Sequence, residues 1–312
     1  MKQGMVLLLL ALALPAAGGP LRDWLQQRTA SHDALGENEA VSKLALPPGV
    51  RRLADLPYGR DARQRLDVYL PATAGHDRPV LVMVHGGAWR LGSKQAANVV
   101  DNKLAHWSPA GVVLVSLDYR LLPQAAVEQQ ADDVASAVAW VQAHAAEWGA
   151  SKRQLVLMGH SAGAHLVGVL STDQALRQRH GVQPWLATVL LDSAALDVAA
   201  IMRAPHLPLY DKAFGEDAAR WAALSPTRLL TAATPPLLAV CSSRRAESCT
   251  QAQGLADQGR QLGVTVQVLP QDLSHGQINQ QLGLPGDYTR QVERFLQQAG
   301  WRWRHRSQYD ME

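Results

Sequence analysis

Gly159-His160-Ser161-Ala162-Gly163 follows a short apolar run, 155–158, and precedes a helical pattern over 164–170. A serine hydroxyl is a weak nucleophile near neutral pH. It needs a base to take its proton and dipoles to receive the negative charge that develops. G-x-S-x-G between a strand and a helix meets part of that need. The turn is too sharp for bulky flanks, so both neighbours are small. The serine is pushed out above the sheet, and the N–H groups of the following helix point at developing negative charge. Alone, the pattern is common; its place after a strand and before a helix gives it weight.

His85-Gly86-Gly87-Ala88-Trp89 follows a second buried run, 80–84. Glycines directly after a strand let backbone N–H groups approach a ligand closely. Gly86, Gly87 and the N–H of Ala162 are the candidate donors to an oxyanion, each worth about 3–4 kcal/mol of transition-state stabilisation. Among 11 histidines, His275 is the one that follows the final strand run, where the base of such a site belongs in chain order. His160 lies within the turn and cannot face its neighbour's hydroxyl, and His85 belongs to the glycine motif. The acid that orients the base is expected after the run 237–241, where Glu247 is the only carboxylate. Asp192, ending the preceding strand run, and Asp272, close to His275 in sequence, are its rivals.

These residues need a scaffold that brings strand ends together. Runs at 66–70, 80–85, 112–117, 155–158, 187–191, 237–241 and 264–269 alternate with helical patterns. Continuous β-branched runs suit strands covered on both faces. The clearest helix spans 127–148, with Val127, Ala131, Val134, Val138, Val141 and Ala145 on one face and Gly149 as its stop. The alternation implies an α/β architecture: a mostly parallel central sheet with helices on both faces. Sites in such sheets lie at the carboxyl ends of the strands. The stretch 197–230 breaks the rhythm with Pro205, Pro208 and Pro226 and reads as a partly helical lid insertion.

Taken in order, Tyr58-Gly59, Leu66-Asp67-Val68-Tyr69-Leu70-Pro71, His85-Gly86-Gly87-Ala88-Trp89 with Gly92 and Lys94, Asp118-Tyr119-Arg120-Leu121, Gly159-His160-Ser161-Ala162-Gly163-Ala164-His165-Leu166 and Ser274-His275 form a set. It resembles the esterase/lipase branch of the α/β-hydrolase superfamily, related to feruloyl-esterase-like enzymes and kynurenine formamidases, over residues 55–298. The resemblance implies the α/β-hydrolase fold and cofactor-free hydrolysis of carboxylic esters through an acyl-enzyme. It implies Ser161 as nucleophile, His275 as base, and Gly86, Gly87 and Ala162 as oxyanion donors. The chain departs from the family in carrying Glu247 where Asp is usual, and Ala88 where many members have a third glycine. An amide hydrolase such as an arylformamidase, or a binding protein on the same fold, are the rival readings.

Composition bounds the rest. The chain has 312 residues, 47% of them hydrophobic, which one large domain accommodates. A net charge of +3 spread over that length, with no Lys/Arg stripe, speaks against nucleic acid as a partner. No His/Cys set has metal-ligand spacing, and no cofactor is expected. Lys2, the apolar run 5–14 and the small residues 15–19 have the layout of a secretory signal over 1–18, so a secreted or periplasmic protein is expected. The run is too short to span a bilayer, and no transmembrane segment is expected. In an oxidising compartment Cys241 and Cys249 are expected to pair. The division reads as a signal, an N-terminal segment 19–54, a hydrolase domain 55–300 with its lid, and a tail 301–312. The tail's interleaved Trp301-Arg302-Trp303-Arg304-His305-Arg306 could touch an anionic membrane surface, but reads first as an exposed end. The expected partner is a small-molecule ester.

Overall fold

Residues 80–84 show why continuous apolar runs become strands here. Val80, Val82 and Val84 enter one core layer, and Leu81 and Met83 enter the layer on the opposite face. With side chains alternating at period two, a strand buried on both faces has no polar position to offer. The computed structural model describes residues 46–72 and 75–303. The signal-type segment and most of the stretch 19–54 lie outside the described residues.

Eight strands form one sheet: β1 (Arg51–Pro57), β2 (Arg65–Leu70), β3 (Arg78–Val84), β4 (Val113–Leu117), β5 (Ala150–His160), β6 (Ala187–Leu191), β7 (Leu237–Ser242) and β8 (Val266–Gln271). Their spatial order is β1-β2-β4-β3-β5-β6-β7-β8. β1 and β2, and β2 and β4, pair antiparallel; every other pair is parallel. The carboxyl ends of β3, β5, β6, β7 and β8 therefore open on one edge.

The described helices are α1 (Ala97–Trp107), α2 (Val127–His144), α3 (Ala162–Thr172), α4 (Gln174–Arg179), α5 (Val198–Met202), α6 (Pro208–Phe214), α7 (Ala218–Ala223), α8 (Pro226–Leu229), α9 (Ala246–Leu262), α10 (His275–Gln281) and α11 (Asp287–Gln298). Residues of α2 and α3 build one core layer, and residues of α1 and α11 build the other. In α2 the apolar stripe Val127, Ala131, Val134, Val138 and Val141 is buried. Each such valine contributes roughly 1.5–3 kcal/mol by leaving water. The helix closes in a 3-10 turn, Ala145–Trp148, and Gly149 adopts a left-handed conformation that returns its N–H to the carbonyls of Ala145 and Ala146. That is the stop expected of this glycine.

Two boundaries differ from the sequence reading. β1 begins within the segment assigned to 19–54, because its alternation is too exposed to register as a strand; it is an edge strand held by β2. The lid region is four short helices, α5 to α8; an ion pair of Arg220 with Glu128 of α2 ties it to the body, and one of Arg228 with Asp197, at 2.8 Å, ties its last helix to its first. Trp301, expected to open an exposed tail, is fully buried. It packs edge-on against Trp107 and donates its indole N–H to the carbonyl of Gln154 at 3.0 Å. That ring is a core residue and is unavailable to a membrane surface. Among the described residues no helix is long and apolar enough to cross a membrane.

Candidate active site

Ser161 sits between β5 and α3 with φ 53° and ψ −118°. A non-glycine residue holds such a conformation at a cost of order 1–3 kcal/mol, and only when its surroundings impose it. Here the Ser161 N–H donates to the carbonyl of Leu191 at 2.9 Å, and its own carbonyl accepts from His165 at 3.1 Å. The flanking glycines are required by crowding. A Cβ on Gly163 would lie 2.3 Å from the carbonyl oxygen of Val84 and 2.4 Å from that of His85. One on Gly159 would lie 2.4 Å from the carbonyl oxygen of Gly163. The first turn of α3 is thereby pressed against the end of β3.

That contact brings in the glycine loop. A Cβ on Gly86 would fall 3.0 Å from the Ser161 Cβ, so the Gly86 backbone lies directly beside the serine side chain. Gly87 has φ 110°, and its carbonyl accepts from Arg90 and Leu91, closing a tight turn. Ala88 and Trp89 also have positive φ, at 50° and 60°. The loop is held from below by the His85 ring, stacked on Tyr119 at 4.4 Å, and by the Tyr119 hydroxyl, which donates to the His85 carbonyl. Among the described residues the N–H groups of Gly86, Gly87 and Ala162 donate to no protein acceptor. Three N–H groups on the two loops that meet beside Ser161 are thus left without a protein acceptor among the described residues.

His275 is the first residue of α10, after β8. Ser274 caps that helix: its hydroxyl accepts from the Gln277 N–H, while the Gln277 side chain accepts from the Ser274 N–H. This reciprocal cap fixes where His275 projects. The imidazole lies 4.5 Å from the ring of His160, whose Nε2 is 3.1 Å from the His275 carbonyl. His160 thus braces His275 through its ring and its backbone.

The carboxylate beside His275 is Asp192. Its Oδ2 lies 2.6 Å from His275 Nδ1, and its side chain is fully buried. Asp192 follows β6 directly, with φ 54°, a left-handed conformation that Asp tolerates better than most residues. Its Oδ1 accepts from the Ser242 N–H at 2.7 Å and from the Ser248 hydroxyl. Burial works against its ionisation. The hydrogen bond and charge of His275, with the Arg245 cation and Ser248, overcome this and hold the carboxyl well below the usual carboxylate range.

The expectation for Glu247 is therefore corrected. Its side chain is 58% exposed and, among the described residues, its one ion pair is with Arg245, at 3.8 Å. It stands in the first turn of α9, where a negative charge suits the helix N-terminus, and that turn carries it away from His275. Asp272 is also set aside: it is 84% exposed and paired with Arg244 at 2.7 Å. In place of a carboxylate, the loop after β7 supplies Arg245, whose Nη1 is 2.5 Å from Asp192 Oδ2. Cys241 and Cys249 are joined by a disulfide that closes this loop. Arg245, the Ser242 N–H and the Ser248 hydroxyl escaped sequence reasoning. The one available signal was a carboxylate, Asp192, placed immediately after the strand run Ala187–Leu191.

Aromatic side chains face the glycine loop from the lid. Phe214 packs edge-on to Trp89 at 4.9 Å, and Tyr210 lies 6.2 Å from the same ring. Burial raises the Tyr210 phenol to about 12, so it stays neutral. His165 links the layers: Trp89 Nε1–H donates to its Nδ1 at 3.2 Å, and its Nε2 meets the Leu224 carbonyl at 2.8 Å. Burial depresses its imidazole to about 4, so it is a neutral ring that donates one hydrogen bond and accepts the other. Among the described residues no group of three or more His, Cys, Asp or Glu side chains could hold a metal ion. Ser161 next to free N–H donors, with His275 hydrogen-bonded to a buried carboxylate, is chemistry for acyl transfer.

The chain is similar to known proteins. The sequence profile of the family described as BD-FAE matches residues 66–246. A probable isoprenylcysteine alpha-carbonyl methylesterase of Arabidopsis thaliana is 34% identical over 131 residues, 42% of this chain and 26% of that protein. A kynurenine formamidase of Salmo salar is 34% identical over 152 residues, 48% of each. The chain thus spans no more than half the length of these relatives. The crystal structure of esterase B from Lactobacillus rhamnosis superposes with a TM-score of 0.65 at 20% identity, covering 90% of this chain and 92% of that one. At that identity the likeness shows the fold alone, and the fold is that of the α/β-hydrolases.

Proposed function

Because the chain belongs to the BD-FAE family of α/β-hydrolase esterases, we propose that it is a serine esterase in which Ser161, His275 and Asp192 form the catalytic triad. The observation that carries the reading is the 2.6 Å contact between His275 Nδ1 and a fully buried, ionised Asp192, on the same sheet edge as the strained Ser161 turn. Asp192 holds the Nδ1–H tautomer, leaving Nε2 as the base. His275 takes the hydroxyl proton as Ser161 attacks the ester carbonyl. The oxyanion rests on N–H groups of Gly86, Gly87 and Ala162. The imidazolium then protonates the departing alcohol, and water, activated by the same nitrogen, releases the acid from Ser161. The substrate proposed is an ester of a short or aromatic acid.

The decisive experiment is labelling of Ser161 by a p-nitrophenyl phosphonate together with turnover of a p-nitrophenyl ester series. Wild type should be labelled and active, and Ser161→Ala should be neither. Undiminished turnover by Ser161→Ala would refute the reading. The likeness to a kynurenine formamidase supports a second reading, amide hydrolysis, which faster cleavage of an N-formyl anilide than of the matching phenyl ester would favour. Export to the periplasm or beyond the cell is also proposed: it is supported by the signal-type layout of residues 1–18 and by the Cys241–Cys249 disulfide, which an oxidising compartment preserves.

A further inference from the structure

We propose that Arg245 is a positioning residue of the Asp192–His275 pair, a fixed cation that offsets the Asp192 charge and so sets the acid limit of activity. The inference rests on the triad reading above and adds to it a residue that no carboxylate-based argument would select. Arg245 lies in the loop after β7, the place where a carboxylate was sought. Its Nη1 is 2.5 Å from Asp192 Oδ2 and 2.6 Å from His275 Nδ1. Its side chain is only 17% exposed.

The arrangement is not needed to satisfy Asp192. Oδ1 already accepts from the Ser242 N–H and the Ser248 hydroxyl, and Oδ2 already has His275. Nor is Arg245 forced inward. Its neighbour Arg244 turns outward and pairs with exposed Asp272. A guanidinium placed within hydrogen-bond distance of Nδ1 has two consequences. With Nδ1 protonated, both Nδ1–H and Nη1–H converge on Oδ2, which is the productive tautomer. When Nε2 gains a proton, the imidazolium stands against a cation that cannot deprotonate. Asp192 favours that imidazolium and Arg245 opposes it.

The other groups around the pair leave this balance to those two charges. His160, from the end of β5, faces the His275 ring at 4.5 Å. Tyr210, from α6, and Tyr288, from α11, are buried phenols raised above their usual range and stay neutral. Ser248, from α9, is uncharged. Glu247 touches Arg245 only at 3.8 Å and faces solvent. Arg244 and Asp272 neutralise one another at the surface.

The test is the pH dependence of two rates between about pH 4.5 and 9: phosphonate labelling of Ser161, and kcat/KM on p-nitrophenyl acetate. The proteins are wild type, Arg245→Met, Arg245→Gln, Arg245→Lys, Ser161→Ala and Asp192→Asn. In Arg245→Met and Arg245→Gln the acid limb of both profiles should move up by about 1 pH unit, since Asp192 then acts on the imidazole unopposed. A rate measured well below the limb therefore falls about tenfold. Arg245→Lys, which keeps the charge, should leave the limb within about 0.3 unit of wild type. A limb that stays in place, or moves down, in whichever neutral variant folds with a near-native Tm overturns the proposal. So does a limb that moves equally in Arg245→Lys. If Ser161→Ala or Asp192→Asn keeps wild-type rates, the triad reading fails and Arg245 falls with it. If both are dead and the limb is unmoved, only the Arg245 proposal fails.

Discussion

Replacing Asp192 by Asn exchanges one oxygen for an amide nitrogen and should nearly abolish catalysis. With the amide nitrogen in the place of Oδ2, it presents a donor to His275 Nδ1, which must then accept. The imidazole proton moves to Nε2, the atom that has to remove the proton of Ser161. With the amide reversed, its N–H₂ meets the Ser242 N–H that now donates to Oδ1 at 2.7 Å. That orientation sets donor against donor. Either way Arg245 loses the carboxylate 2.5 Å from its Nη1 and is left as a part-buried cation. In serine hydrolases that keep their geometry but lose the correct tautomer, kcat falls about 10⁴-fold. The expected loss here is about 10³–10⁴, equivalent to about 4–5.5 kcal/mol of transition-state stabilisation. The assay is kcat/KM on p-nitrophenyl acetate, with Tm recorded beside it. Glu247→Gln is the control, and its side chain points to solvent. It should stay within about twofold of wild type. A folded Asp192→Asn within tenfold of wild type, or a Glu247→Gln reduced a hundredfold, would refute the assignment of Asp192 as the acid.

Three further outcomes follow from contacts around the site. Gly163→Ala should not give folded protein, because its Cβ would lie 2.3 Å and 2.4 Å from two carbonyl oxygens that belong to rigid backbone; soluble yield and circular dichroism read this, and a native-like melt would contradict it. Replacing both Cys241 and Cys249 by Ala removes the closure of a short loop, worth about 2–3 kcal/mol on chain-entropy grounds. Tm should fall by about 5–10 °C, and kcat should fall too, since the loop carries Ser242, Arg245 and Ser248 onto Asp192; an unchanged Tm would show that the cross-link constrains nothing. His165 governs acid stability. Its folded pKa of about 4 lies below the unfolded 6.5, so the unfolded chain binds the proton first as pH falls. The contribution is complete above about pH 6.5 and is lost on the way down to about 4, on the order of 3 kcal/mol. Urea midpoints across that window should slope less steeply in His165→Gln, and an identical slope would remove His165 as the cause.

The parts of this protein that could be read from the chain are those whose signals are local. Val80 to Val84 must be a buried strand, because five consecutive apolar β-formers have no polar face to expose, and their alternation between two core layers is the outcome. The turn at Ser161 is local as well: its glycines are dictated by atoms within the turn and at the neighbouring strand end. His275 was identifiable by its order after the last strand. The carboxylate beside it was not, because that place is set by the strand end a carboxylate stands on and the direction its backbone gives it. Asp192 turns inward from β6 through a left-handed conformation, while Glu247 lies only a few residues beyond β7 but rides outward on the first turn of α9. Periodicity carries neither fact. The same holds for Arg245, a charge that composition would send to the surface and that the tertiary structure turns toward a buried carboxylate. Trp301 makes the opposite point: amid arginines it reads as exposed, yet the cavity beside Trp107 and Gln154 takes it in. The sequence by itself determined the strands, the sharp turn at Ser161 and the place of His275 after the last strand, since each depends on neighbours along the chain. Only the packed sheet decided which carboxylate and which cation meet His275, and the fate of that tryptophan, since each depends on which distant strand ends come to lie side by side.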